Sequence, residues 1–203
     1  MFRIAGRNMK GTLQALTTVA FAVLVAFGSG CTTTNSTRAA ALKPVGGTPV
    51  DLRRYDMATV VPFAFTGERP SDPGVAGRFA VDIASRLKQD FGPLFREVRM
   101  KDQAPGEPSE LIVTGNIRSY KPGSRIGRAL LIGVTPAVFK ADLILKDGPS
   151  GRELLSAPMD KLWAWGGLMG AGKGIEEMLA ESAAAAARTV AEGKGWRSPS
   201  GAK

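Results

Sequence analysis

Residues 72–93, DPGVAGRFAVDIASRLKQDFGP, carry the pattern that decides the fold. Apolar side chains recur there at steps of three and four residues, which predicts an amphipathic helix with one buried face. Asp72 can cap this helix, Pro73 suits its first position, and Gly92 with Pro93 ends it. We expect a sheet to cover the buried face, which comprises Ala76, Phe79, Ala80, Ile83, Ala84, Leu87 and Phe91.

Strand patterns lie on both sides of this helix. Residues 58–65 are rich in β-branched and aromatic side chains, although Pro62 removes a backbone donor and indicates an edge or a bulge. A second short strand is predicted at 95–100. Residues 111–118 alternate between an apolar face and a mixed one, which is typical of a strand with one buried side.

The second half of the chain predicts a hairpin and a terminal helix. Strands at 137–146 and 152–165 are joined by the turn sequence DGPSG at 147–151, which favours an antiparallel hairpin. An alanine-rich helix follows at 174–192 and is stopped by Gly193. The element order therefore predicts an α+β fold with two helices packed on one mainly antiparallel sheet of about four to five strands.

The first thirty residues have the parts of an export signal. Basic residues lead, an apolar run of fifteen residues follows at 13–27, and three small residues at 28–30 precede Cys31, the only cysteine. The apolar run is shorter than the roughly twenty residues that a membrane-spanning helix needs. The basic residues of this leader are Arg3, Arg7 and Lys10.

This arrangement resembles a bacterial lipoprotein signal peptide, with Gly28 at the place where such signals usually carry leucine. The resemblance implies lipid transfer to the Cys31 sulfur, cleavage before Cys31 and acylation of the new amino terminus. Thr32, rather than aspartate, follows the cysteine, which implies an outer-membrane location with the domain facing the periplasm. Ordinary secretory cleavage, releasing a soluble periplasmic protein, is the alternative.

The processed chain has the size of one domain. Residues 31–203 number 173, and their 24 basic and 18 acidic side chains give a net charge of +6. The polar and Pro/Gly-containing segment 31–54 predicts a flexible tether. Residues 55–192 form the expected α+β domain, and residues 193–203 the expected disordered tail.

The sequence contains no histidine, which excludes several chemistries. A Ser-His-Asp triad, a Cys-His pair and the usual zinc sites all require an imidazole. An acylated Cys31 is no nucleophile either. The acidic residues show no spacing that singles out a catalytic pair. We therefore expect no enzyme, no metal and no cofactor. The aromatic residues are not interleaved with basic ones, so we expect no nucleic acid as partner.

Two segments are candidates for function. Residues 120–133 combine Lys121, Arg125 and Arg128 with apolar side chains, a composition that suits a membrane surface or an anionic partner, and equally a buried connection. Residues 167–174, GLMGAGKG, nearly match a phosphate-binding loop, but Gly174 stands where the pattern requires Ser or Thr. A nucleotide-binding enzyme using Lys173 is therefore the alternative from another class.

Several motifs together resemble an uncharacterised family of bacterial lipoproteins with a domain of unknown function. They are Tyr55 with the strand after it, the Gly123-Ser124-Arg125 motif with Arg128, the 147–151 turn and the glycine-rich approach to the terminal helix. The family has no assigned activity, so the resemblance implies location and fold. We expect a lipid-anchored envelope protein whose domain binds a partner, either the membrane or another envelope protein. The residues expected to contact this partner are Gly123, Ser124, Arg125 and Arg128.

Overall fold

The computed structural model describes residues 41–47, 49–67, 72–123, 137–163 and 175–198. Two helices and seven strands make up this part of the chain. In chain order they are β1 (Lys43–Pro44), β2 (Met57–Val60), β3 (Ala64–Phe65), α1 (Val75–Phe91), β4 (Glu97–Met100), β5 (Glu110–Lys121), β6 (Ala137–Asp147), β7 (Glu153–Trp163) and α2 (Ile175–Gly193). Single 3₁₀ turns at Leu52–Arg54 and Gly92–Leu94 precede β2 and β4.

All seven strands belong to one sheet, in the order β1-β7-β6-β5-β2-β4, with β3 pairing on β5 beyond β2. β1, β7, β6 and β5 are antiparallel neighbours, whereas β2 is parallel to both β5 and β4, and β3 is parallel to β5. The α+β class and the two helices are confirmed. The prediction of a mainly antiparallel sheet of four to five strands is wrong. Helix α1 returns the chain to the end of the sheet where β2 begins, so β4 runs parallel to β2.

Both helices contribute to one apolar core. Phe79 of α1 packs edge-on against Phe63 and Phe139, with both ring centroids 5.0 Å away. Leu111, Val113 and Ile117 of β5, and Leu143 and Leu145 of β6, belong to the same fully buried cluster. The face of α1 that the periodicity predicted is buried throughout, from Ala76 to Phe91.

Boundaries at both ends of the domain differ from the prediction. β1 pairs with Leu155 and Ser156 of β7, and Leu52 has no exposed surface, so residues assigned to the tether form part of the domain. At the other end, Trp196 packs on Phe91 at 5.1 Å, within the segment assigned to the tail. Leu52 and Trp196 are isolated apolar residues in polar segments, so no periodic pattern predicts their packing on the domain.

Two local predictions also need correction. The single strand predicted at 58–65 is two strands, β2 and β3, with an interruption around Pro62. The backbone donor that Pro62 lacks accounts for the interruption. Helix α1 begins at Val75, so Pro73 lies before its first turn. Asp72 accepts a hydrogen bond from the Gly74 backbone nitrogen at 3.0 Å and closes a turn ahead of the helix.

The loop before β5 folds around a buried carboxylate. Glu110 has no exposed surface, and its Oε2 accepts hydrogen bonds from the Gly106 and Glu107 nitrogens at 2.8 and 2.9 Å. Its Oε1 accepts another from the hydroxyl of Thr59 on β2, a residue that is also fully buried. Glu110 thereby fixes the returning loop to the strand beside it. Ser109, immediately before it, adopts a positive φ of 59°.

Candidate ligand-binding cleft

An open cleft lies at the end of the sheet where β6 turns into β7. Its volume is about 490 Å³. One wall is formed by residues 45–47 and 49–51, which follow β1, and the other by the start of β7. The lining residues are Val45, Gly46, Pro49, Val50, Asp51, Arg54, Arg152, Glu153 and Leu154. The cleft therefore exists because residues 43–54 fold onto the edge of the sheet.

The 3₁₀ turn Leu52–Arg54 positions the first functional side chain. Asp51 caps this turn by accepting a hydrogen bond from the Arg53 nitrogen at 2.9 Å, while Leu52 is buried in the core. Arg54, the last residue of the turn, therefore lines the cleft next to Tyr55. The Arg54 guanidinium carbon lies 4.7 Å from the centre of the Tyr55 ring, a cation–π geometry.

Asp147, at the end of β6, completes this cluster. Its Oδ1 accepts from the Tyr55 hydroxyl at 2.7 Å and from Arg54 at 3.3 Å, and Arg54 also donates to the Tyr55 oxygen. Its Oδ2 accepts from the Ser150 hydroxyl at 2.5 Å and the Ser150 nitrogen at 3.1 Å. Four donors thus hold one carboxylate, which in turn holds the arginine. The Arg54 side chain is still 57% exposed, so its remaining N–H groups are open to a ligand.

The pKa shifts of the cluster all favour its present protonation states. The hydrogen bond from Ser150, followed by the one from Tyr55, lowers the pKa of Asp147 below its ordinary value. Burial raises the pKa of Tyr55, and the hydrogen bond to Tyr55 raises that of Arg54. Near neutral pH, Asp147 is therefore an anion, Tyr55 a neutral hydroxyl and Arg54 a cation. None of the three exchanges a proton in that range.

A second arginine faces the cleft from the β7 side. Arg152 is exposed, and in the described part of the chain no carboxylate forms an ion pair with it. The neighbouring Glu153 pairs instead with Lys146 at 3.2 Å. Two guanidinium groups therefore flank a cleft whose walls also include the apolar side chains of Val45 and Leu154. This combination suits a ligand with an anionic group and an apolar part.

The site residues expected from the sequence are placed elsewhere. Gly123 follows β5 with a φ of 66°, in the left-handed region that favours glycine. It lies at the end of the sheet opposite the cleft, because the start of β5 and not its end pairs with Asp147. Ser124, Arg125 and Arg128 lie outside the described residues, as do Cys31 and the 167–174 segment.

Sequence reasoning missed the cluster of Arg54, Tyr55 and Asp147. The hydrogen bond between Tyr55 and Asp147 joins residues 92 positions apart, and no periodic pattern predicts such a contact. The sequence shows Tyr55 and the 147–151 turn only as separate features of a family resemblance. The remaining signal was the adjacent Arg53-Arg54-Tyr55 before a strand, which the tether assignment obscured.

Two further kinds of feature are absent from the described residues, a metal site and a membrane-spanning helix. Within the described ranges, no group of three or more carboxylate, cysteine or histidine side chains is placed to hold a metal ion. In the same part of the chain, neither helix has both the length and the apolar content required to span a bilayer.

Solved structures share the fold. The PelC dodecamer from Paraburkholderia phytofirmans in space group P6 matches with a TM-score of 0.52 at 14% identity, covering 74% of this chain and 96% of PelC. A dodecamer of a PelC variant with a single substitution, in space group C2, gives a TM-score of 0.51 at 15% identity, covering 74% of this chain and 95% of that one. Lipoprotein GNA1162 from Neisseria meningitidis is more distant, with a TM-score of 0.39 at 13% identity, covering 67% and 98%. No protein-family model and no curated protein matches the chain. At these identities the PelC comparison establishes the fold alone.

Proposed function

We propose that this chain is a lipid-anchored protein of the cell envelope whose domain binds another envelope component, or helps an assembly, without catalysis. In this proposal the lipid is attached to Cys31 and the domain lies at the periplasmic face of the outer membrane. The proposal also includes a relationship to the uncharacterised lipoprotein family that the sequence resembles. The observation that carries the binding role is Arg54, which is fixed by Tyr55 and Asp147 yet remains open to the cleft.

The cleft chemistry favours binding over turnover. A general acid or base works best when its pKa lies near the working pH. The Asp147 pKa is lowered and the Tyr55 pKa is raised, so both move away from neutrality. A guanidinium that is already oriented loses little conformational freedom when it binds an anion. We infer that the cleft recognises a carboxylate-bearing segment with apolar neighbours, such as an acidic peptide of an envelope protein.

Substitution of the two arginines tests this role. Native anchored protein is cross-linked mildly in cells, and the co-purified partner is compared between wild type, Arg54→Gln and Arg152→Gln. Each lost charge-assisted hydrogen bond should reduce partner recovery by roughly tenfold or more. Arg86→Gln on the exposed face of α1 is the matched control, because Arg86 makes only a 3.7 Å surface pair with Asp90. Unchanged recovery in the Arg54→Gln/Arg152→Gln double variant would remove the cleft from the proposal.

Fractionation tests the anchor and separates the alternatives. Cys31→Ser should move the protein from the membrane fraction to the soluble periplasm, whereas a protein that is soluble from the start would stay where it was. The nucleotide-binding alternative depends on Lys173 instead. Under the present proposal Lys173→Ala leaves partner recovery unchanged, and the wild type shows no nucleotide binding for the substitution to abolish.

Gly123, Ser124, Arg125 and Arg128 are proposed to contact the membrane or an anionic partner. Arginine near an anionic headgroup layer lowers the free energy of the bound state. Reversal of both charges in Arg125→Glu/Arg128→Glu should therefore weaken the binding of non-lipidated Cys31→Ser protein to vesicles that contain phosphatidylglycerol. Equal binding of the reversed and unreversed proteins would withdraw these residues.

Self-assembly is the second form of the proposal, and the fold shared with the PelC dodecamer favours it. A closed homo-oligomer would present many copies of the cleft on one membrane surface. Sedimentation of the lipidated protein in detergent tests this directly. A mass that is a fixed multiple of the protomer across a wide concentration range is expected, and a monomer throughout that range would limit the role to binding.

A further inference from the structure

Lys194, the residue directly after helix α2, is a buried cation. It is only 9% exposed, and its ammonium nitrogen lies 4.3 Å from the centre of the Phe95 ring. No carboxylate in the described part of the chain forms an ion pair with it, and the nearby Asp56 pairs with Arg96 at 3.5 Å instead. Burial therefore lowers the pKa of Lys194. An ion buried without a counter-ion costs free energy, so stability alone does not explain a lysine at this position.

The Lys194 ammonium donates a hydrogen bond to the backbone carbonyl of Tyr55, 139 positions away in the sequence. Tyr55 is buried and precedes Met57, the first paired residue of β2, so its carbonyl lies outside the hydrogen-bond ladder of the sheet. A buried carbonyl requires a donor, and Lys194 supplies it. The Tyr55 nitrogen donates to the Leu52 carbonyl at 3.2 Å. The backbone of Tyr55 is therefore held on both sides, while its hydroxyl donates to Asp147 in the cleft cluster.

A Schellman motif at the end of α2 fixes Lys194 in place. The Gly195 nitrogen donates to the Glu192 carbonyl at 2.9 Å, and the Trp196 nitrogen donates to the Ala191 carbonyl at 2.9 Å. Gly195 has a φ of 95°, the left-handed conformation that this motif requires. The Trp196 ring packs on helix α1 and holds the end of the motif. Lys194 therefore leaves the helix in one defined direction.

The residue before Lys194 brings α2 close to the turn that carries Arg54. A Cβ on Gly193 would lie 2.9 Å from the Cδ1 atom of Leu52, so the approach of the helix to this turn depends on glycine. Leu52 is the first residue of the turn, and Tyr55 follows its last residue, Arg54. The end of α2 therefore contacts the turn on both sides of Arg54.

We propose that Lys194 is a positioning residue of the cleft, which fixes Tyr55 through its carbonyl so that the Tyr55 ring and hydroxyl orient Arg54 toward the carboxylate of an acidic peptide. This inference rests on the proposed function of the cleft. Without the ammonium, the Tyr55 and Arg54 side chains would gain conformations that binding must then remove. Ordering one such side chain weakens association by roughly two- to tenfold.

The pKa of Asp147 reports on this positioning without any ligand. It is measured by nuclear magnetic resonance of ¹³C-labelled aspartate in the Cys31→Ser protein. Lys194→Met removes the ammonium and keeps an unbranched chain against Phe95. The Tyr55 hydrogen bond contributes to the lowered pKa of Asp147, so Lys194→Met should raise that pKa toward its ordinary value, as Tyr55→Phe should. In the Tyr55→Phe background, Lys194→Met should have no further effect.

Two results of this measurement overturn the proposal. One is an Asp147 pKa that Lys194→Met leaves unchanged. The other is an equal rise in the Tyr55→Phe background, which would mean that the Lys194 charge acts on Asp147 directly. Urea unfolding separates positioning from stability, because replacing a buried unpaired ion by an apolar side chain should maintain or raise the free energy of unfolding. A lower free energy of unfolding with an unchanged Asp147 pKa would show a role in stability alone.

Partner recovery in the cross-linking experiment connects the positioning to binding. Lys194→Met should reduce recovery by roughly two- to tenfold, less than Arg54→Gln does. Lys88→Met removes an exposed cation of α1 and is the matched control, with unchanged recovery. Unchanged recovery in Lys194→Met beside a clear loss in Arg54→Gln overturns the positioning role. Failure of the proposed function looks different, because Arg54→Gln then leaves recovery unchanged while the Asp147 pKa still responds to Lys194→Met.

Discussion

Removal of the buried carboxylate of Glu110 should destabilise the domain severely. The side chain is fully buried and accepts hydrogen bonds from Thr59, Gly106 and Glu107, which hold the 101–109 loop against β2 and β5. Glu110→Ala removes all three acceptor contacts and leaves space where the side chain packed. The loop carries no large apolar side chain that could replace these contacts.

The magnitude follows from the three hydrogen bonds. The Thr59 hydroxyl would lose its partner in a site without solvent access, at a cost of about 1–3 kcal/mol. The Gly106 and Glu107 nitrogens are only half-buried, so water replaces part of their hydrogen bonding at about 1 kcal/mol each. We expect a total loss of about 4 kcal/mol, a large part of the 5–15 kcal/mol that is typical of a domain.

Urea unfolding of the Cys31→Ser protein, followed by circular dichroism, measures this loss. Asp90→Ala is the control, since it removes only an exposed pair with Arg86 and should cost less than about 0.5 kcal/mol. Thr59→Val should cost about 1–2 kcal/mol alone and much less in the Glu110→Ala background, because both substitutions remove the same hydrogen bond. A loss below about 1 kcal/mol for Glu110→Ala, or full additivity of Glu110→Ala and Thr59→Val, would show that the Thr59–Glu110 hydrogen bond does not hold the loop as described.

Three further predictions concern packing and pH. Gly115→Ala should lower the free energy of unfolding by about 3 kcal/mol or more in the same assay, because a Cβ there would lie 2.4 Å from the Phe63 ring. Gly77→Ala is the control: the space around Gly77 on α1 is open, so this substitution should raise the free energy of unfolding by up to about 1 kcal/mol. Trp196→Ala should cost about 2 kcal/mol through lost packing, and unchanged stability would mean that the tail is not docked. The fold lowers the pKa of Asp147, so the ionised carboxylate contributes fully to stability at pH values above its ordinary pKa, and this contribution disappears as the pH falls through the lowered pKa. Asp147→Asn should therefore flatten the acid side of the curve of unfolding free energy against pH. An unchanged acid side would contradict this.

The elements that local patterns specify were predictable from the sequence. Helix α1 covers Val75–Phe91 within the range that its apolar spacing and the Gly92-Pro93 stop defined. The β6–β7 hairpin follows from the turn composition between two alternating strands, and its register confirms the antiparallel pairing. Both signals act between near neighbours in the chain, so a single sequence contains them.

Contacts between distant segments were not predictable. The placement of β2 between β4 and β5 depends on which strand edges meet, and alternation of side chains reveals only that strands exist. The same limit applies to the cleft, since Arg54 and Asp147 are 93 positions apart in the sequence. The sequence predicts a tether around Leu52, because a single apolar residue in a segment rich in Pro and Gly shows no periodicity. Leu52 is nevertheless fully buried.

Intact-mass measurement of the mature protein, isolated from the membrane with its lipids still attached, tests the lipid anchor at Cys31. We expect an amino terminus at Cys31 that carries a diacylglyceryl group on sulfur and an acyl group on nitrogen. A chain that still begins at Met1, or one that begins at residue 31 with an unmodified thiol, would contradict it.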